Sequence, residues 1–299
     1  MADVREGEIL VEKFENILNF RDVGSTINKF TGKKLVTEGL LFRSARPDDA
    51  TLLDRKRLVE QFGIKTIVDL RTVTEHANQV KKRQGQLKMP QIVQSNETLS
   101  KPLKIPDVNY RLININGKSF ERSLIHRLSW WSLIKIAFLM LFRQRMKAIA
   151  IMCREVMGPR GLVGLGKDTI DNSGPEILET LHALSNRANA PVLVHCTQGK
   201  DRTGLVICLA LLLLGVPVDA IVHDYLLSEE ELVPEYESRL EEIRSIGLGE
   251  EFAGCPADWV QEMVSHLDIK HGGARGYAKS IGFQELDQEA LVERMACVS

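Results

Sequence analysis

Apolar residues fall in short runs along the first two thirds of the chain. Leu40 to Arg43, Ile64 to Leu70 ("IKTIVDL"), Tyr110 to Ile115 and Pro191 to His195 ("PVLVH") are each of strand length and rich in branched side chains. Such runs suit strands buried on both faces. Between and after them the period becomes helical. Pro175 sits just behind Ser173, as at a helix start, and Ile177, Leu178, Leu181 and Leu184 then recur at helical spacing. Thr203 to Leu214 is apolar nearly all round and stops at Gly215 with Pro217 beyond, which predicts a central buried helix. Further helices are predicted over Asp219 to Ser228, Tyr236 to Ile246 and Asp258 to Leu267. Strands alternating with helices make the fold class α/β, a central, mostly parallel sheet flanked by helices.

One segment does not fit that scheme. Ser129 to Met157 is long, apolar almost all round from Ile136 to Phe142, led by Trp130 and Trp131, and interrupted by Lys135, Arg143, Arg145 and Lys147. It reads as part of a helical insertion at about residues 117–172 in a single domain spanning 1–299. One reading is a core helix, or a lid over the active site. The other is a surface meeting a membrane, with Trp130, Trp131 and Phe138 in the interface and the basic residues facing anionic headgroups.

Composition narrows the function. Lys plus Arg is 39 and Asp plus Glu is 40, giving a net charge of −1, so a general nucleic-acid binder is not expected. The five cysteines are odd in number and form no C-x-x-C pair, and the seven histidines show no ligand spacing. Neither a disulfide framework nor a metal site is expected, and no cofactor. The first ten residues lack an apolar core for a signal peptide, and no uncharged apolar run reaches spanning length. A cytoplasmic, reducing location is the expectation, and a free thiol survives there.

The chemistry concentrates in "PVLVHCTQGKDRTG", Pro191 to Gly204. Its order is strand, loop, helix, which leaves Cys196 at the carboxyl edge of the sheet, where α/β folds place ligands. The helix beginning near Thr203 aims its dipole and free N–H groups into the loop. Those groups can bind three phosphate oxygens, and the same field favours a nucleophilic thiolate. Thr197, Gln198, Gly199, Lys200, Thr203 and Gly204 are thus candidate substrate-binding residues. Gly199 lets the backbone turn inward without a Cβ in the way. Arg202 offers a planar fork for two phosphate oxygens, and the Thr203 hydroxyl can donate to the Cys196 sulfur. Six fixed residue types in one loop match by chance on the order of once in ten million starting points. The competing explanation is a core cysteine in an ordinary strand–turn–helix.

The HC-x5-R-T-G loop resembles that of the cysteine-dependent tyrosine and dual-specificity phosphatases. With Lys200-Asp201, "HCTQGKDRTG" is similar to an atypical microbial branch of tyrosine phosphatase-like proteins. That branch acts on phosphotyrosine and often on phosphoinositides. "NFRDVG" (Asn19 to Gly24), "LLFRSARPDD" (Leu40 to Asp49), "IVDLRTVTE" (Ile67 to Glu75), "DYLLS" (Asp224 to Ser228) and "GGARGYAKSIG" (Gly272 to Gly282) look like the same branch, in the same order. The resemblance covers about residues 16–295 and implies that Cys196 attacks phosphorus while Arg202 holds the transferring group.

The family's acid often sits in a loop after the strand preceding the insertion. Here that place reads "NINGKSFERS", Asn114 to Ser123, without aspartate. Asp107 lies before the strand, and Asp201, inside the loop, is the better candidate for acid and then base. Asp201 reads equally well as a partner of Lys200 or of a nearby arginine. Asp22 and Arg21 are expected to fix a turn, Asp69, Arg71 and Glu75 to form an ion-pair network bracing the loop, and Cys208 to serve packing.

The expected function is a metal-independent phosphomonoesterase acting on phosphorylated protein or phosphoinositide through a cysteinyl-phosphate, with peripheral membrane contact possible for the insertion. In this reading Lys200 is a second cation for an inositol ring bearing several phosphates. The alternatives are sulfur transfer by a rhodanese-like loop, disfavoured by the R-T-G ending, and a non-catalytic phosphoinositide-binding module, disfavoured by the intact Cys196 and Arg202.

Overall fold

The computed structural model describes residues 13–87 and 104–297, so the N-terminal stretch read for a signal peptide lies outside the described residues. Five strands form one sheet in the order β1-β2-β5-β3-β4. They are β1 (Arg21–Asp22), β2 (Leu41–Ser44), β3 (Thr66–Asp69), β4 (Asn109–Leu112) and β5 (Val192–His195). The short β1 pairs antiparallel with β2, and the other neighbours are parallel. Each of the four expected strands is present, within a few residues of its predicted ends.

The pleat explains why these runs do not alternate in polarity. Leu41, Val68, Val192 and Val194 enter one large apolar cluster, while Phe42, Ile67 and Leu193 enter a second cluster on the opposite face. Strands buried on both faces need apolar residues at every position. The helix after β5 (Asp201–Leu213) carries ten buried residues, as its apolar circumference requires, and ends before Gly215 at φ 75°.

Three helices lie among the first four strands, at positions where the sequence pattern named no helix by residue. They are α1 (Val23–Thr31), α2 (Leu52–Lys56) and α3 (Val73–Leu87). Asp22 caps α1, accepting from the Ser25 N–H at 3.2 Å, and also accepts from the Gly39 N–H at 2.6 Å. Glu75 lies in the first turn of α3, which sets it beside the end of β5.

Between β4 and β5 the chain is helical: α4 (Lys118–His126), α5 (Trp130–Leu141), α6 (Arg145–Met152), α7 (Gly158–Asn172) and α8 (Gly174–Ser185). The predicted continuous helix over Ser129 to Met157 is instead a hairpin. Ser129 caps α5, and Arg143 turns the chain at φ 56°, so α6 runs back along α5. The remaining helices are α9 (Asp201–Leu213), α10 (Val218–Glu231), α11 (Tyr236–Ser245), α12 (Trp259–His271), α13 (Ala274–Ser280) and α14 (Glu285–Met295).

Candidate active site

The loop between β5 and α9 lies at the carboxyl end of the central strand. Its carbonyls are tied outward one by one. The backbone N–H of Arg46 donates to the Thr197 carbonyl at 3.1 Å, Asn19 Nδ2 to that of Gln198 at 2.9 Å, and Arg43 Nη2 to that of Gly199 at 2.6 Å. In a trans peptide the N–H points opposite to the carbonyl before it. Holding three carbonyls outward therefore turns the N–H groups of Gln198, Gly199 and Lys200 inward. The Gly199 N–H reaches the Cys196 sulfur at 3.2 Å. Cys196 is almost wholly buried at the floor of this bowl.

Gly199 sits at φ 72°, and a Cβ there would lie 2.1 Å from the Ser44 carbonyl oxygen. The backbone of β2 cannot yield that distance. Gly199→Ala should therefore cost about 2 kcal/mol or more of stability. Thermal melts check it; a near-normal value would show that the loop tolerates a different shape.

Arg202 stands on the first turn of α9 and meets Glu75 end-on. Nη1 lies 2.6 Å from Oε2 and Nη2 2.6 Å from Oε1. The Thr197 hydroxyl donates to the same carboxylate. Burial would push Glu75 up, but the Arg202 charge and these hydrogen bonds hold it well below the usual carboxylate range. Behind the loop, Asp224 accepts from Arg21 at 2.7 Å and from the fully buried Arg43. Arg21 thus braces the loop across the fold while also donating locally to Asn19 Oδ1, the turn contact expected of it. Arg71 pairs with Asp69 at 2.7 Å and with Asp48. His195 Nδ1 donates to the Cys196 carbonyl at 3.0 Å.

These ion pairs carry a pH signature. Asp48, Glu75 and Asp224 are held low by their arginines against the upward pull of burial. For Asp69 burial is likewise overcome by the charges of His195 and Arg71, leaving it at about 2. A carboxylate depressed in the folded state stabilises the fold above its unfolded pKa, and that contribution is lost as pH falls toward the folded value. Folding should hold above about pH 4 and fail progressively below it. Circular dichroism across that range checks the window, and an unchanged fold near pH 2 would contradict it.

An open cleft of about 360 Å³ lies over the loop, lined by Cys196, Thr197, Gln198, Asp201 and Arg202. Arg46, Arg71 and Arg239 also line it, each paired with carboxylate: Arg46 with Glu235, Arg71 with Asp69 and Asp48, and Arg239 with Glu242. The loop thus brings Cys196, Arg202 and Asp201 together. Two expected contacts are not made. Lys200 is fully buried and turns away from the cleft, donating to the Gly254 carbonyl and to Asp201 Oδ1, each at 2.9 Å. An ammonium excluded from water needs such acceptors, and the turn at residues 252–254 supplies them. Thr203 Oγ1 is buried and has no hydrogen-bond partner among the described residues, so the sulfur is held by the Gly199 N–H instead. Cys208 is buried in α9, and burial pushes its thiol up to about 12. Asp107 precedes the amino end of β4, whereas Cys196 follows the carboxyl end of the parallel β5. It stands at the wrong edge of the sheet for proton transfer.

Asn19, Arg43, Arg46 and Asp224 were not singled out for this role by sequence reasoning. One signal was available, since an arginine inside an apolar strand implies a buried partner.

A sequence profile of the tyrosine phosphatase family matches residues 12–297. The chain belongs to the tyrosine phosphatase family. Among curated relatives, it is 32% identical over 139 residues to a tyrosine-protein phosphatase of Nostoc commune, covering 42% of this chain and 46% of that protein. It is also 32% identical over 124 residues to the triple specificity protein phosphatase PtpB of Mycobacterium tuberculosis, covering 36% of this chain and 43% of PtpB. The chain thus spans a little under half the length of each of these tyrosine phosphatase relatives. The family resemblance of the cysteine loop is thereby borne out, as is the α/β fold with its mostly parallel sheet.

Proposed function

We propose that this chain is a metal-independent phosphomonoesterase in which Cys196 is the nucleophile and Arg202 the phosphate clamp. The observation that carries the reading is the bowl itself: the carbonyls of Thr197, Gln198 and Gly199 tied outward, the Gly199 N–H on a buried sulfur, and the Arg202 guanidinium in the same cleft. A phosphoryl group seated there offers its oxygens to the N–H groups and Arg202, with phosphorus in line with the sulfur. The thiolate forms an S–P bond as the ester P–O bond breaks, and the leaving oxygen takes a proton. Water then breaks the S–P bond, releasing inorganic phosphate and restoring the thiolate.

Asp201 is proposed as the proton carrier. The other carboxylates lining the cleft are engaged by arginine: Glu75 by Arg202, Glu235 by Arg46 at 2.8 Å, and Glu242 by Arg239 at 2.7 Å. Among the described residues Asp201 is ion-paired with Lys200 and with no arginine, and it is about a third exposed in the cleft lining. Asp201→Asn should lower turnover of alkyl phosphates about 100-fold or more, and of activated aryl phosphates much less. Equal losses on both would assign Asp201 to holding Lys200.

Phosphotyrosine and phosphoinositide phosphates are the proposed substrates. Arg46, Arg71 and Arg239 on the cleft walls are paired with carboxylates that further phosphates of a ligand would replace, and one relative is named for triple specificity. Phosphate release from a phosphotyrosine peptide and from phosphoinositide monophosphates in EDTA tests the reading. No release from either would sink it, and release from the peptide alone would leave a protein phosphatase. With its ammonium buried, Lys200 serves both substrates alike, so Lys200→Met should depress the two activities by the same factor.

A further inference from the structure

The α5 helix reverses the usual polarity of a surface helix. Only Ser132, Ile136 and Leu139 turn inward, with Ile136 packing on Phe120, Leu124 and Leu128. Most of the remaining surface of the helix is apolar and faces water: Trp130 is 62% exposed, Trp131 60%, Phe138 61% and Leu141 78%. At 3.6 residues per turn these positions, with Leu133, Ile134, Ala137 and Met140, cover an arc of roughly 200°. The aromatic rings reinforce one another, with Trp130 and Trp131 4.3 Å apart and Phe138 and Phe142 4.5 Å apart. Contiguous apolar surface of this kind marks a place of contact.

Charge identifies the partner. From Arg122 to Arg154 the sequence holds seven Lys or Arg and not one Asp or Glu, although the whole chain is balanced at −1. Lys135 borders the apolar arc, and Arg143, Arg145 and Lys147 occupy the turn and the start of α6. We infer that this face of α5 docks on an anionic lipid bilayer, lying in the interface with its aromatic side chains inserted and its basic residues at the headgroups. The helix is about 18 Å long, well short of the roughly 30 Å hydrocarbon core, so it lies on the membrane and does not cross it. A second copy would set Lys135, Arg143 and Lys147 against their own counterparts, which the charges oppose.

The same hairpin touches the cleft. Ile149 of α6, with Cys153 and Met157 beyond it, lines an apolar groove of about 490 Å³ that shares Glu75, Asp201, Arg202 and Arg239 with the catalytic cleft.

Sedimentation with vesicles tests the inference apart from catalysis, because phosphatidylserine carries no phosphomonoester. The full chain should pellet with phosphatidylcholine vesicles containing about 30 mol% phosphatidylserine, and about tenfold less with phosphatidylcholine alone. Raising salt should weaken binding. Trp131→Ser with Phe138→Ser should reduce binding about tenfold or more while leaving para-nitrophenyl phosphate turnover unchanged. Lys135→Glu with Lys147→Glu should do the same and flatten the salt dependence. No binding to anionic vesicles, or equal binding by both variants, would overturn the inference. So would a lipid-free dimer, seen by light scattering and dispersed by the aromatic substitutions. Cys196→Ser should bind vesicles like the wild type, so a failure of the phosphatase reading would leave this result intact.

Discussion

Cys196→Ser is expected to lower turnover on the order of 10⁴-fold or more while leaving inorganic phosphate bound nearly as before. The reason lies in what surrounds the sulfur. A serine hydroxyl needs a base within hydrogen-bond reach to become a nucleophile, and among the described residues the side-chain atom at 196 meets the Gly199 N–H and no base. His195 Nδ1 is committed to the Cys196 carbonyl, and Glu75 accepts from Arg202 and Thr197. The binding elements are untouched, because the three outward carbonyl ties rest on Arg46, Asn19 and Arg43. Single-turnover assays and titration with phosphate separate the two properties. Turnover within tenfold of the wild type would remove the cysteinyl-phosphate from the mechanism. Loss of phosphate binding along with activity would mean that the sulfur shapes the bowl as well as reacting in it.

What the sequence made legible was local. The strand ending at His195, the loop and the central helix follow one another in the chain, so pattern and spacing suffice to order them. The four main strands were legible because burial on both faces demands uninterrupted apolar runs. The supports of the loop were not, because they reach across the fold: Asn19 to Gln198, Arg43 to Asp224, and Arg46 to Thr197. No spacing rule connects residues so far apart. The direction of Lys200 was also hidden. A lysine within a phosphate loop reads as a ligand, yet the Gly254 carbonyl draws it to the opposite side. The break in the helix after α5 depends on Arg143 adopting a positive φ, which arginine does not advertise.

Arg202→Lys is expected to lower turnover about 10³-fold, with Glu75→Gln costing about 10- to 100-fold. The difference follows from the geometry of the pair. Glu75 takes both Nη1 and Nη2 of Arg202 at 2.6 Å, which fixes the plane of the guanidinium. Nη1 also reaches the Leu70 carbonyl at 3.5 Å and Nη2 the Thr197 hydroxyl at 3.3 Å, so the Nε–H is the donor left for a phosphoryl group above Cys196. A lysine in that position keeps the charge but has no plane to fix, and its ammonium would be drawn to the carboxylate as a point charge. Phosphate oxygens would then lose that directed donor as charge shifts in the transition state. Glutamine at 75 keeps one acceptor for the guanidinium and removes the counter-charge, so Arg202 stays in place with less restraint. Its effect should fall mainly on kcat, because a looser fork still meets the ground-state phosphate. Steady-state kinetics on para-nitrophenyl phosphate with both variants checks the ranking. If Glu75→Gln proved the more damaging of the two, Glu75 would be acting on the substrate itself, and its role as the brace of Arg202 would be wrong.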